Sequence, residues 1–235
     1  MTPRLVTRIV CLAAVLSTEP AIRAADARAP AHRWEPEIQQ FEAVDRTNPP
    51  PRHAILFVGS SSIRFWKNLK ESFPKHEVFR RGFGGSEMAD SVFFADRIVL
   101  PYEPKLILVY AGDNDIANGK SPERVLGDFK AFVEIVHREL PKTPIGYLAI
   151  KPSLARRSLM EKMKDANRMI QEYARTTSGV FFIDVFTPML TPDGAPRPEL
   201  FVRDGLHLNE KGYALWASII EPELDRYDPP NQKRP

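Results

Sequence analysis

Apolar runs of strand length, separated by stretches of helical period, constrain this chain more than any other feature. Residues 54–58, 105–110, 145–150 and 180–185 are apolar almost throughout, and residues 77–80 form a shorter candidate. A strand with one wet face alternates polar and apolar residues, whereas a strand covered on both faces reads as a continuous run. The stretches between them have helical spacing. Ile63, Phe65, Trp66 and Leu69 follow the first run, and a helix is expected from Ser86 to about Val99. Ser121-Pro122 is a cap with a first-turn proline, and Val125, Phe129, Phe132, Val133, Val136 and Leu140 make the buried stripe behind it. Ser153 is expected to start another helix, with Met160, Met163, Ile170 and Tyr173 near one face and Arg156, Arg157, Lys162 and Lys164 on its solvated side. The methionine pair reads as core. A last helix covers about 209–224. Strand–helix alternation of this kind predicts an α/β fold, a three-layer α/β/α sandwich whose five-stranded parallel sheet has the flavodoxin-like order 2-1-3-4-5.

A length of 235 residues suits one such domain, placed at 52–224. The net charge of +3, with no long basic run, argues against nucleic acid as a partner. At the N-terminus, Arg4 and Arg8 precede an apolar run at 9–16, and small residues follow at Ala21, Ala24 and Ala25. That run is too short to span a bilayer and reads as an export signal over 1–24, which makes the mature protein periplasmic or secreted, without stable membrane insertion. The single cysteine, Cys11, lies within it, so the mature chain has neither disulfide nor cysteine nucleophile. Residues 25–51 form an N-terminal arm, with Trp34, Ile38 and Phe41 on one helical face and Asn48-Pro49-Pro50-Pro51 as the stop. Residues 225–235 are expected to be a mobile tail.

Polar residues gather where the apolar runs end. Gly59 is followed by Ser60-Ser61-Ser62; the second strand leads to Gly82-Phe83-Gly84-Gly85-Ser86; the third leads to Gly112-Asp113-Asn114-Asp115. In open parallel sheets the carboxyl ends of the strands are where ligands bind. Each cluster also has a plain reading: serines cap helices, and Asp, Asn and Gly make turns. The glycines do not follow the Gly-x-Gly-x-x-Gly spacing of a dinucleotide site. Near the C-terminus, Asp204-Gly205-Leu206-His207 puts an acid three residues before a histidine, a spacing that can aim an imidazole.

Taken together and in this order, the clusters resemble the SGNH hydrolases, the GDSL-like esterases and lipases, over residues 55–224. The resemblance implies Ser61 as nucleophile, Asp204 and His207 as the other two catalytic residues, and an oxyanion hole from Ser61, Gly85 and Asn114. It implies acyl transfer to water with no metal or organic cofactor, and the five histidines (His32, His53, His76, His137 and His207) are not spaced as ligands. Two positions depart from the family pattern: Ser60 stands where Asp is usual and Arg80 where Asn is frequent. The loop at 187–201 contains no long apolar lid segment, which favours a small-molecule or glycan ester with a short acyl group. An acyltransferase and a non-catalytic ligand-binding protein on the same fold are the alternatives.

Overall fold

In a computed structural model, which describes residues 32–229, the apolar runs become five strands: β1 (Ile55–Gly59), β2 (Val78–Gly82), β3 (Leu106–Tyr110), β4 (Ile145–Leu148) and β5 (Val180–Ile183). They pair in parallel in the order β2-β1-β3-β4-β5, as the sequence predicts. Every residue of β1 and β3 is buried, which is why their runs are apolar on both faces. The expected export signal at 1–24 lies outside the described residues.

Nine α-helices occur among the described residues: α1 (Glu35–Thr47), α2 (Ser61–Arg64), α3 (Leu69–Ser72), α4 (Met88–Phe93), α5 (Ala95–Ile98), α6 (Asp113–Ala117), α7 (Pro122–Glu139), α8 (Met160–Thr176) and α9 (Glu210–Tyr227). The strand pleat decides which layer each side chain joins. Phe57 of β1 and Tyr110 of β3 point to the α9 side, where Trp66 lies 5.7 Å from Phe57 and Trp216 lies 5.0 Å from Tyr110, centroid to centroid. Tyr147 of β4 points the other way, onto Phe129 of α7 at 4.7 Å. Met160 and Met163 are buried on α8, in the core. Of the described helices, none is long and apolar enough to cross a membrane.

The N-terminal arm forms α1, with Ile38 fully buried. Asp45 of this helix pairs with Arg81 at 2.6 Å, and Arg97 pairs with Glu35 at 2.8 Å and Glu42 at 2.6 Å.

Four helical stretches differ from the sequence reading, the first being that of Ile63, Phe65, Trp66 and Leu69, where α2 ends at Arg64 and α3 begins only at Leu69. The single helix expected from Ser86 to Val99 breaks into α4 and α5 at Phe94, whose fully buried ring packs edge-on to Phe83 at 6.2 Å. The helix expected to begin at Ser153 begins at Met160, because residues 151–156 are tied to the Asn114 and Gly205 loops instead. Ser153 still caps a turn there, its Oγ accepting from the Arg156 amide at 3.2 Å. The last helix continues past Leu224 to Tyr227, since Tyr227 stacks on Phe181 at 4.4 Å and the buried His76 ring lies 3.1 Å from both Asp225 and Asp228.

The register places the carboxyl ends of β1, β2 and β3 at one level, with Gly59 opposite both Gly82 and Tyr110. Gly59 has a φ of +144°, and a Cβ there would sit 1.8 Å from the Tyr110 carbonyl oxygen. No rotamer relieves a backbone clash of that kind. Gly59→Ala is therefore expected to destabilise the protein by about 4 kcal/mol or more, at the severe end of single substitutions. Urea denaturation checks this, and a midpoint equal to wild type would refute the close approach.

Candidate active site

Three hydroxyls leave β1 together, and burial separates them. Ser60 and Ser62 are 0% and 1% exposed, while Ser61 is only partly buried. Ser60 is the N-cap position of α2 and Ser61 its first residue. The Ser61 amide therefore has no carbonyl four residues back in its own helix to pair with. The Ser61 hydroxyl faces His207 Nε2 at 3.1 Å.

His207 is aimed by its own turn. Asp204 Oδ1 accepts from the Leu206 amide at 2.8 Å and the His207 amide at 2.9 Å, and Asp204 Oδ2 lies 2.6 Å from His207 Nδ1. Burial opposes ionisation of Asp204, but the His207 ring and these two amides outweigh it and hold the carboxyl at about 2. An ionised carboxylate only accepts, so Nδ1 carries the proton and the Nε2 lone pair faces the Ser61 hydroxyl. The turn is closed by the Val202 amide donating to the His207 carbonyl at 2.9 Å, and Phe65 packs edge-on against the imidazole at 5.0 Å. Asn209 caps α9 just beyond, its side chain accepting from the Gly212 amide at 3.1 Å. Tyr213 of α9 donates its hydroxyl to the Ser62 carbonyl at 2.9 Å, which ties this helix to the serine turn.

The loops that carry Gly85 and Asn114 are joined through Ser86. Asn114 is 8% exposed, and its Nδ2 donates to the Ser86 carbonyl at 2.9 Å. The fully buried Asp115 holds the two loops in register, accepting from the amides of Met88 and Gly112, each at 3.1 Å, and from Lys120 at 3.0 Å. Burial raises its carboxyl above the ordinary range in spite of Lys120. Gly85 has a φ of +79°, and Trp34 of the N-terminal arm lies behind it, 3.4 Å from where a Cβ would stand.

Several residues of this rim were not anticipated. Arg156, expected on a solvated helix face, instead donates through Nη2 to Asn114 Oδ1 at 2.9 Å and lies 3.1 Å from Asp113 Oδ2. Lys151, 1% exposed, reaches the same Asp113 oxygen at 3.3 Å. Burial pushes its ammonium down while Asp113 pulls the other way. Both cations follow β4, the strand next to the one that carries Asn114, and that position was the available signal. The two departures from the family pattern are structural in character: Ser60 is sealed inside the turn, and Arg80 donates to the Trp66 carbonyl at 2.9 Å, bracing the chain after α2. Among the described residues no cluster of three or more His, Cys, Asp or Glu could hold a metal ion.

Comparison with known proteins bears on this geometry. The sequence model of the GDSL-like Lipase/Acylhydrolase family matches residues 58–215. The platelet-activating factor acetylhydrolase IB subunit alpha1 of Bos taurus is 24% identical over 190 residues, covering 77% of this chain and 78% of that protein. A Streptococcus pneumonia structure with the provisional description of a platelet activating factor superposes with a TM-score of 0.73 at 24% identity, covering 81% of this chain and 92% of the other. A GDSL-like lipase from Bacteroides thetaiotaomicron does so with a TM-score of 0.71 at 19% identity, covering 80% and 97%.

The Asp204 contacts set a pH dependence. A carboxyl held at about 2 in the fold, against about 3.9 in an unfolded chain, stabilises the fold above the higher value. That contribution is lost as pH falls through the lower one. The stability difference between wild type and Asp204→Asn should therefore shrink as pH falls between about pH 4 and 2. Denaturation across that range checks it, and a gap that does not narrow would contradict the assigned contacts.

Proposed function

Because the chain belongs to the GDSL-like lipase and acylhydrolase family, and is thus an ester-bond hydrolase, we propose that it cleaves carboxylic esters through an acyl-enzyme on Ser61. One observation carries this reading: the serine with the reachable hydroxyl is also the one on the His207–Asp204 pair. Ser61 Oγ attacks the ester carbonyl carbon while its proton passes to His207 Nε2. The carbonyl oxygen becomes an oxyanion, received by the Ser61 and Gly85 amides and the remaining Nδ2 hydrogen of Asn114. Collapse breaks the carbon–oxygen bond to the alcohol, which takes the proton back from His207 and leaves. Water then attacks the acyl-enzyme by the same route in reverse, giving free acid and restoring Ser61. Asp204 stabilises the imidazolium at each stage.

The acyl group is proposed to be short. The acetylhydrolase named among the relatives supports this reading. So does the loop at 187–201, which contains no long apolar lid segment. We further propose export, on the strength of Arg4, Arg8, the apolar run at 9–16 and Ala24. N-terminal sequencing of protein from fractionated cells should find a start near Ala25, and an intact Met1 would refute cleavage there.

A fluorophosphonate probe should label wild type and fail on Ser61→Ala. Acetyl p-nitrophenyl ester should be turned over faster than octanoyl and longer esters, with free acid released without any added alcohol acceptor. Asn114→Ala should lose about 10²–10³ in turnover and also melt lower than wild type while remaining folded, because the Ser86 carbonyl and Arg156 lose a buried partner. Labelling that survives Ser61→Ala would exclude Ser61 as nucleophile; a preference for long chains would exclude the short-acyl reading.

A further inference from the structure

An amide side chain serves as an oxyanion donor only if its N–H end faces the reacting atom. Asparagine can present either end, and nothing in its own covalent structure chooses. We propose that Arg156 is a positioning residue that fixes the Asn114 amide in the donor orientation, and that residues 151–156 brace both halves of the active site. This rests on the reading of Asn114 as an oxyanion donor.

Both ends of the Asn114 amide are engaged. Arg156 Nη2 donates to Oδ1 at 2.9 Å, and Nδ2 donates one hydrogen to the Ser86 carbonyl at 2.9 Å. A flipped amide would set Oδ1 against that carbonyl and Nδ2 against the guanidinium, replacing two attractions with two repulsions. One hydrogen of Nδ2 is left over, the one the oxyanion needs. A cation on Oδ1 also withdraws electrons from the amide nitrogen, so that hydrogen becomes a better donor.

Arg156 is itself constrained. Its side chain is 18% exposed, and Nη1 lies 3.1 Å from Asp113 Oδ2. That approach is not aligned as a hydrogen bond, so the pairing there is electrostatic. Lys151 reaches the same carboxylate oxygen from the interior at 3.3 Å. Two cations thus meet one carboxylate beside the Oδ1 end of Asn114, which leaves the Nδ2 end for the oxyanion. The same segment supports the imidazole: the Ala155 amide donates to the Gly205 carbonyl at 3.0 Å, inside the turn that carries Asp204 and His207. A Cβ at Gly205 would stand 3.1 Å from the Leu154 Cβ, so the two loops touch. Arg156 thus acts on the reaction through Asn114 and not through contact with the ester.

The test is a double-mutant cycle on the full chain, read in kcat and KM for acetyl p-nitrophenyl ester. Arg156→Met should lower kcat about tenfold to a hundredfold, less than loss of the donor itself, with KM little changed. On the Asn114→Ala background the same substitution should change kcat less than twofold, because no amide remains to orient. Guanidinium ion added to Arg156→Met should restore part of the lost kcat, and should restore none to Arg156→Met combined with Asn114→Ala. Should Arg156→Met not fold, Arg156→Lys takes its place in the cycle, with a smaller loss that again vanishes without Asn114. Equal losses in both backgrounds would overturn the proposal, as would full turnover of Arg156→Met beside a crippled Asn114→Ala. Full turnover of Asn114→Ala itself, with Ser61→Ala inactive, would instead sink the oxyanion role of Asn114, and this inference with it.

Discussion

Backbone hydrogen bonds between the loops at the carboxyl end of the sheet govern where each reactive group stands. The Ser60 amide donates to the Tyr110 carbonyl at 3.1 Å, and the Phe83 amide donates to the Gly59 carbonyl at 3.0 Å. Each chain leaving the central strands is therefore stapled to its neighbour for one residue beyond the sheet. The serine turn, the glycine turn and the Asn114 turn then diverge from a shared edge, and their spacing is that of adjacent strands. Gly59 is the hinge of this arrangement, because only a residue without Cβ lets β1 come so close to the Tyr110 carbonyl. Convergence of distant residues on one rim is thus a consequence of strand register, to which the long α7 and α8 contribute packing.

Charge is distributed unevenly around the molecule, and magnitudes decide which pairs matter. Arg175 and Glu172 form an ion pair with both side chains mostly exposed, at 73% and 60%. Water and salt screen such a pair, and it contributes little. Lys151 and Asp113 are 1% and 6% exposed, and Asp115, fully buried, meets Lys120. Stranding one member of a buried pair costs about 3–5 kcal/mol, yet replacing the whole pair by apolar groups is often neutral or better. Stability alone therefore does not account for two buried charge clusters flanking Asn114. Their common location does: Asp115 sets the distance between the Asn114 and Ser86 loops, and Asp113 anchors the cations on the other side.

The sheet was legible because β1 and β3 are buried on both faces, so their apolar runs carry no competing signal. Ser61, Asp204, His207, Gly85 and Asn114 were singled out by the family resemblance that the clusters carry together, since each cluster alone reads as a cap or a turn. What escaped was long-range. Arg156 looks like any basic residue before a basic helix, and only the fold reveals that Asn114 is within its reach. Trp34 reads as the stripe of an amphipathic arm, and nothing local says that it backs Gly85. Helix ends failed for the same reason: the delayed start of α8 and the late end of α9 are set by Gly205 and His76, which lie far away in sequence.

The Asp204–His207 pair shows how backbone geometry does work usually credited to charge. Their side chains are 47% and 26% exposed, so water competes for both partners and the ion pair by itself is weak. Yet the carboxylate is not free to leave the imidazole. One of its oxygens is fixed by the Leu206 and His207 amides, which belong to the very turn that carries the ring. With that oxygen fixed, the other has only the Nδ1 hydrogen within reach in this turn. Tautomer and aim of His207 are accordingly built into a four-residue turn, and the turn is held from outside by the Ala155 amide on the Gly205 carbonyl. Orientation of the His207 ring and orientation of the Asn114 amide then depend on one segment, residues 151–156, through a main-chain bond in the first case and a guanidinium in the second.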